Sequence, residues 1–376
     1  MLQTTGCILF IMWRFAPSLR IAPPVLFITI AVGLFAADSP VHAQHGKLQF
    51  AQLGRCRLEN GAVIENCRIG YRTFGALDKT RDNAVLMPTW LYGRTVNLVD
   101  LFGDPRKAGP SAKADILVDT GKYFGIAIDA LGNGVSSSPS NSTVQHGVGF
   151  PAFSTRDMVA AEYRVVTEKL GLKHLHAVIG LSMGGEQTFV WSVMYPTFFD
   201  DAVPILGTPR LTPYDLEVKQ IMLGTILNDP AYDGGHYTAE PALKLANLFG
   251  TLVVTTPEFR NQATTREDFS AFLGRAEAPL PIDANDRIWQ LRAIIKQDVV
   301  GNRTIAEAAK STRAHFLVIV AAHDHLVNPR PALEWAAALH APTYISQGDC
   351  AHLIMSCDAK AVSSRVREFL DGGNIE

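Results

Sequence analysis

The chain has 376 residues, of which 47% are apolar, 9% aromatic and 19% charged, with a net charge of −2. This composition excludes a disordered or polar low-complexity chain, and the even spread of charge gives no footprint for nucleic acid. The length allows one large domain or two.

Residues 1–43 read as a secretory signal. Arg14 and Arg20 supply positive charge, and Val25 to Ala37 is an apolar stretch. Val41-His42-Ala43 is a small-x-small cleavage site before Gln44, and Met12 is an alternative start. The apolar stretch is shorter than the roughly 20 residues that span a bilayer. The expectation is export to the periplasm or medium, with no stable membrane insertion after cleavage.

Export permits disulfides. Cys7 lies inside the signal, which leaves Cys56, Cys67, Cys350 and Cys357. Four cysteines allow three connectivities, of which local pairing is the simplest. Asn60-Gly61 is a turn signal between the first two. A two-residue turn there sets Cys56 opposite residue 65, so a bridge to Cys67 needs a longer turn or a bulge. Neither pair has zinc-site spacing. Four buried free thiols are the alternative.

Leu48 to Leu58 and Val63 to Phe74 read as an antiparallel pair of strands. Ala84 to Met87 and Phe124 to Ile128 follow as short buried strands. A helix is predicted from about Arg156, with Ser154 and Asp157 as its capping box and Val159, Tyr163, Val166 and Leu170 as its apolar stripe. Gly171 stops it. Ala177 to Ile179 is a strand, followed by a Gly-rich turn and a helix to about Tyr195. Ala202 to Leu206, Phe316 to Ala321 and Thr343 to Ser346 are further strands. A last helix runs from about Ala359 to Leu370. Strands alternating with helices predict an α/β fold with a mostly parallel sheet covered on both faces. Between 208 and 311 the alternation gives way to helical sequence. The expected organisation is a core of residues 44–207 and 312–376, with 208–311 as a helical insertion over the sheet's carboxyl edge.

Gly180-Leu181-Ser182-Met183-Gly184-Gly185 contains G-x-S-x-G, with an apolar strand entering and a helix leaving. A serine on so tight a turn points its hydroxyl over the sheet edge, and side chains at 180 and 184 would crowd it. A nucleophilic serine needs a base, and the base an orienting acid. Hydrolases built on such a sheet carry them in the order Ser, Asp, His. Asp324 follows the Phe316 strand and His352 lies in the loop after the Thr343 strand, so both reach the edge that carries Ser182. Asp349 and Asp358 are rival acids. His323 and His325 around Asp324 are an alternative two-histidine metal site without a visible third ligand. An oxyanion hole needs two backbone N–H groups. Met183 supplies one, and Trp90, in the loop Pro88 to Gly93, is the choice for the other. Trp90 and Tyr92 wall the pocket or pack in the core.

On these residues the chain resembles the homoserine O-acetyltransferase family of α/β-hydrolase-fold proteins, over nearly all of its length after residue 43. Ile69 to Gly75 is similar to that family's first segment, Gly180 to Gly185 to its nucleophile turn, Asp229-Pro230 and Gly234 to Tyr237 to its lid, and Asp283-Ala284-Asn285 to its Arg-Phe-Asp-Ala-Asn motif. The resemblance implies the α/β-hydrolase fold, the triad Ser182, Asp324 and His352, a ping-pong acyl-enzyme mechanism and often a homodimer formed through the lid. There are departures. The His-Ala-Leu-Thr-Gly oxyanion segment is replaced by Pro88 to Gly93. Leu223 stands near the position of a carboxylate-binding lid arginine, which makes it a candidate pocket residue. Pro281-Ile282 replace a second arginine.

The expected protein is an exported serine hydrolase of a small-molecule ester, or of an amide or thioester. It calls for no metal or organic cofactor. The alternatives are an O-acyltransferase with the same first half-reaction and a non-catalytic binding protein on the same fold.

Overall fold

The computed structural model describes residues 46–109 and 115–373. The expected signal, with Cys7, lies outside the described residues. Among the described residues no helix is long and apolar enough to cross a membrane.

The first two strands are β1 (Gln49–Arg57) and β2 (Val63–Phe74). Their turn is closed by Leu58 N–H donating to the Ala62 carbonyl and Gly61 N–H donating to the Leu58 carbonyl. Gly54 faces Cys67 and Cys56 faces Ile64, with a register shift on each side of Gly54. Gly54 and Asn66 adopt φ of 67° and 52°, the left-handed backbone on which bulges turn. The irregularity brings Cys56 to Cys67 as a disulfide, with Cα atoms 5.7 Å apart.

Beyond these lie β3 (Ala84–Pro88), β4 (Phe102–Gly103), β5 (Val118–Asp119), β6 (Phe124–Ile128), β7 (Leu175–Leu181), β8 (Phe199–Ile205), β9 (His315–Phe316), β10 (Val318–Ala321) and β11 (Thr343–Ser346). The main sheet runs β1-β2-β6-β3-β7-β8-β10-β11, with β9 beside β8. β1 and β2 are antiparallel to their neighbours, and β6 through β11 are parallel to one another. β4 and β5 form a separate two-stranded ribbon that the sequence did not announce. The strand expected from Phe316 to Ala321 is split: β9 and β10 both pair with β8, and β10 also runs along β11.

The central strands are buried on both faces, which is why they read as unbroken apolar runs. Leu86 and Val178 belong to one core cluster, while Val85, Met87, Ala177 and Ile179 belong to another, as a period of two requires. Phe189 and Trp191 of the helix Met183–Met194 and Trp335 of Arg330–Leu339 fill the first cluster. Val362 and Val366 of Ala359–Leu370 fill the second. Ser154 caps the helix Thr155–Arg164 through a capping box with Asp157.

The segment after β8 is helical: Pro213–Leu227, Lys244–Val253, Pro257–Ala263, Phe269–Ala276 and Ala284–Ile295. Its two ends are stitched together. Val299 N–H donates to the Pro209 carbonyl, Gln297 Nε2 to the Thr208 carbonyl, and Arg210 ion-pairs with Asp298. The short helix Ile305–Ala309 packs on the helix Arg330–Leu339.

Candidate active site

Four loops leave the carboxyl ends of parallel strands on one edge of the sheet. β7 ends at Leu181 and delivers Ser182, β10 ends at Ala321 just before Asp324, β11 ends at Ser346 before His352, and β3 ends at Pro88 before Trp90. Ser182 sits at φ 54° and ψ −121°, a strained geometry for a residue with a side chain. Two glycines permit the turn. A Cβ on Gly180 would lie 2.0 Å from the Gly184 carbonyl oxygen, and one on Gly184 would lie 2.7 Å from the Pro88 carbonyl oxygen.

The structure brings Ser182, His352 and Asp324 into one hydrogen-bonded chain. His352 Nδ1 lies 2.7 Å from Asp324 Oδ2, and His352 Nε2 lies 2.8 Å from Ser182 Oγ. An ionised carboxylate only accepts, so Nδ1 carries the proton. In the neutral ring Nε2 is then the acceptor, and the Ser182 hydroxyl donates to it. The other Asp324 oxygen accepts from Leu326 N–H at 2.8 Å and Val327 N–H at 3.0 Å. The imidazole and the carboxylate are almost wholly buried, their side chains 8% and 1% exposed. Water therefore competes little for these bonds.

The rival acid Asp358 is engaged elsewhere, accepting from Tyr344 Oη and Ser346 Oγ, both at 2.7 Å. His323 is exposed and His325 half-buried beside Asp324. Among the described residues no three His, Cys, Asp or Glu side chains are grouped to hold a metal ion. Cys350 and Cys357 form a disulfide that brackets His352. Ala351, just before the histidine, adopts φ 48°.

Met183 is the first residue of its helix, where N–H groups have no acceptor in their own helix. Across from it, Gln187 Nε2 donates to the carbonyls of both Thr89 and Met183, each at 3.1 Å. The N–H of a trans peptide points away from its carbonyl, so the grip on Thr89 O also fixes the direction of Trp90 N–H. Trp90 and Tyr92 are half-buried and pack against the two core clusters. Tyr92 N–H donates to Gln290 Oε1 at 2.9 Å, and the Arg287 guanidinium lies over the Tyr92 ring at 5.2 Å. Burial pushes the Tyr92 phenol above its ordinary range, and Arg287 opposes this. Arg287 is itself buried, bonded to Asn247 Oδ1, and its Nε has no hydrogen-bond partner among the described residues.

Leu223 is not with this group. It lines a cavity of about 270 Å³ between two lid helices, with Phe153, Trp289, Arg292 and Lys296 and none of the residues above. The motifs similar to the acyltransferase lid meet as structural staples. Tyr232 Oη donates to Asn285 Oδ1, Asn285 N–H to Tyr237 Oη, and Asn285 Nδ2 to the Gly235 carbonyl. Asp283 caps the helix Ala284–Ile295.

A serine, a histidine and a buried aspartate on the carboxyl edge of such a sheet, joined in this order, mark the fold family. Residues 106–356 match the family described as alpha/beta hydrolase fold. The chain belongs to the α/β-hydrolase-fold family of enzymes. It is 33% identical over 229 residues to a probable esterase of Corynebacterium glutamicum, covering 59% of this chain and 63% of that protein. It is 31% identical over 300 residues to an ethyl acetate hydrolase of Pseudomonas veronii, covering 74% of this chain and 81% of the relative. A homoserine O-acetyltransferase of Methanohalobium evestigatum is 30% identical over 76% of this chain and 64% of its own length. Against the first and third of these relatives the chain thus spans a little under two thirds of the partner's length. Among solved structures, an acetylester hydrolase from Corynebacterium glutamicum superposes with a TM-score of 0.78 at 26% identity, covering 86% of this chain and 96% of that one.

Proposed function

We propose that this α/β-hydrolase is an exported enzyme that cleaves carboxylic esters through an acyl-enzyme on Ser182. The observation that carries this reading is the hydrogen-bonded chain from Ser182 through His352 to Asp324. Ser182 Oγ attacks the ester carbonyl while its proton passes to His352 Nε2. Asp324 holds the ring in the tautomer that accepts this proton and stabilises the imidazolium. The tetrahedral oxyanion takes hydrogen bonds from Met183 and Trp90 N–H, donors of which each is worth roughly 10²–10³ in rate. Collapse expels the alcohol, which leaves with the proton from His352. Water, deprotonated by His352, then attacks the acyl group, and the free acid departs as Ser182 regains its proton.

The esterase and ethyl acetate hydrolase relatives support an ester as the scissile bond. The signal-like residues 1–43 and the two disulfides support export. Exposed Tyr214, Ile221, Leu245 and Leu252 on the lid support a homodimer. The test is a fluorophosphonate probe followed by peptide mapping, alongside hydrolysis of short-chain esters. The expected adduct is on Ser182, absent from Ser182→Ala. Labelling elsewhere, or ester hydrolysis surviving in Ser182→Ala, sinks the proposal.

A further inference from the structure

One fully buried lysine lies behind the acid loop. Lys219 belongs to the first lid helix, is 1% exposed, and donates from Nζ to the Leu326 carbonyl oxygen at 2.8 Å. Leu326 and the next residue, Val327, are the two whose N–H groups clasp Asp324 Oδ1. One turn before Lys219, Asp215 Oδ1 accepts from Asn328 N–H at 2.8 Å, in the same loop. Facing Lys219 from the nucleophile helix is Glu186, buried, with an oxygen that has no hydrogen-bond partner among the described residues. The carboxylates acting on the Lys219 ammonium are Glu186 from the nucleophile helix, Asp324 from the acid loop and Asp215 from its own helix.

An ammonium is among the costliest groups to bury, and an apolar residue would fill this space at less cost. Burial pushes Lys219 down and Glu186 up, so the pair resists its own charging. What the lysine supplies that a methionine cannot is a directed donor to the Leu326 carbonyl. The peptides from Asp324 to Asn328 are held from the lid side at Leu326 O and Asn328 N. They in turn hold Asp324 with its second oxygen turned to His352.

Resting on Asp324 as the acid of the proposed triad, we propose that Lys219 is a positioning residue: through the Leu326 carbonyl it fixes the acid loop, and with it the orientation of Asp324 toward His352. The lid thereby contributes to the chemistry as well as to covering the site.

The test uses the full mature chain with Lys219→Met and the double variant Lys219→Met/Glu186→Met. The double variant removes both partners and restores an apolar, volume-filling interior, a replacement that is commonly neutral or stabilising. The expected result is a double variant with near wild-type melting temperature but kcat reduced by about 10-fold or more, KM little changed, and fluorophosphonate labelling of Ser182 slowed in parallel. Wild-type kcat in the double variant overturns the inference, as does activity that returns in step with stability. Failure of the double variant to fold also overturns it, since the pair then holds the core rather than the acid. Wild-type protein in which the probe does not reach Ser182 condemns the triad reading itself, a result distinct from all of these.

Discussion

His352 Nε2 stands 2.8 Å from Ser182 Oγ across 170 residues of sequence, and the far side of the same ring is held by Asp324 at 2.7 Å. Groups that act as one unit are non-additive when removed. Ser182→Ala and His352→Ala are each expected to lower kcat by roughly 10³-fold or more with folding intact, and the double variant to lose little further. Steady-state kinetics on a short-chain ester with circular dichroism as the folding control checks this. Losses that multiply in the double variant would show that the two residues act independently.

The nucleophile turn offers a steric test. A Cβ on Gly184 meets the Pro88 carbonyl oxygen at 2.7 Å, and backbone cannot swing aside as a side-chain end can. Gly184→Ala must push the end of β3 away from the helix, moving Trp90 N–H relative to Met183 N–H. A misplacement near 1 Å costs about 10²-fold in rate. The expectation is a kcat loss of about that size with a smaller loss of thermal stability. Unchanged kcat would mean that the oxyanion donors lie elsewhere.

Much of this arrangement was legible in the sequence where one physical demand dominates. β2 and the last helix occupy the stretches anticipated, because alternation or helical spacing is strong there and turn residues bound both. The strand-turn-helix context located Ser182, and chain order located Asp324 and His352, because parallel strands deliver their following loops to one edge. Between 208 and 311 the sequence showed helical character but not the individual helices, which pack on neighbours that sequence does not name. Leu223 was assigned by ungapped alignment and lines a cavity with Trp289, Arg292 and Lys296. Arg287, Gln187 and Lys219 were missed because each looks like an ordinary polar position on a helix. A signal did exist for Lys219: Asp215, Lys219, Met222 and Ile226 fall on one buried stripe of their helix, and a charged pair inside an apolar stripe calls for a partner. Arg287 is also a cation beside the oxyanion loop that alignment to the acyltransferases could not supply.

Mass mapping of non-reduced protein should yield peptides joined through Cys350–Cys357 and Cys56–Cys67, as the structure pairs them. The first closes a short loop around His352. On the chain-entropy model a loop of that length stabilises by about 2 kcal/mol. Cys350→Ser/Cys357→Ser should therefore lower the melting temperature modestly and lower kcat as the histidine loop gains freedom. Protein from an oxidising compartment that carries four free thiols would refute both effects.

Glu162 gives a pH test independent of the active site. Its carboxyl is buried, accepts from Trp191 Nε1 at 2.7 Å and leaves its other oxygen unpartnered among the described residues. Burial pushes its pKa up to about 8. Between the unfolded value near 4.5 and about 8 the folded chain holds a proton that the unfolded chain has released. Stability from this group therefore falls as pH rises through that window, by at most about 1.4 kcal/mol per pH unit. Glu162→Gln cannot ionise, so its stability relative to wild type should grow from pH 5 to pH 8 in urea titrations. A constant difference across that range would place the group's pKa near its ordinary value.

Hydrolysis and transfer share the acyl-Ser182 intermediate and part at the acceptor. A transferase must bind its second substrate well enough to outcompete water and must shield the acyl group until it arrives. For homoserine this calls for a cationic clamp on the carboxylate, and charge-assisted bonds of that kind are worth about 1.5–3 kcal/mol each. Neither Leu223 nor Pro281-Ile282 offers one. The buried cation beside the oxyanion loop, Arg287, is committed through Nη1 to Asn247 and packs over Tyr92. The protein should therefore release free acid from short-chain esters and form no O-acetylhomoserine from acetyl-CoA and homoserine. Incubation with both donors and counting of products by mass spectrometry decides the matter. O-acetylhomoserine formed faster than acetate would overturn the hydrolase reading, and Arg287→Met would then be the variant to show whether that guanidinium holds the acceptor's carboxylate.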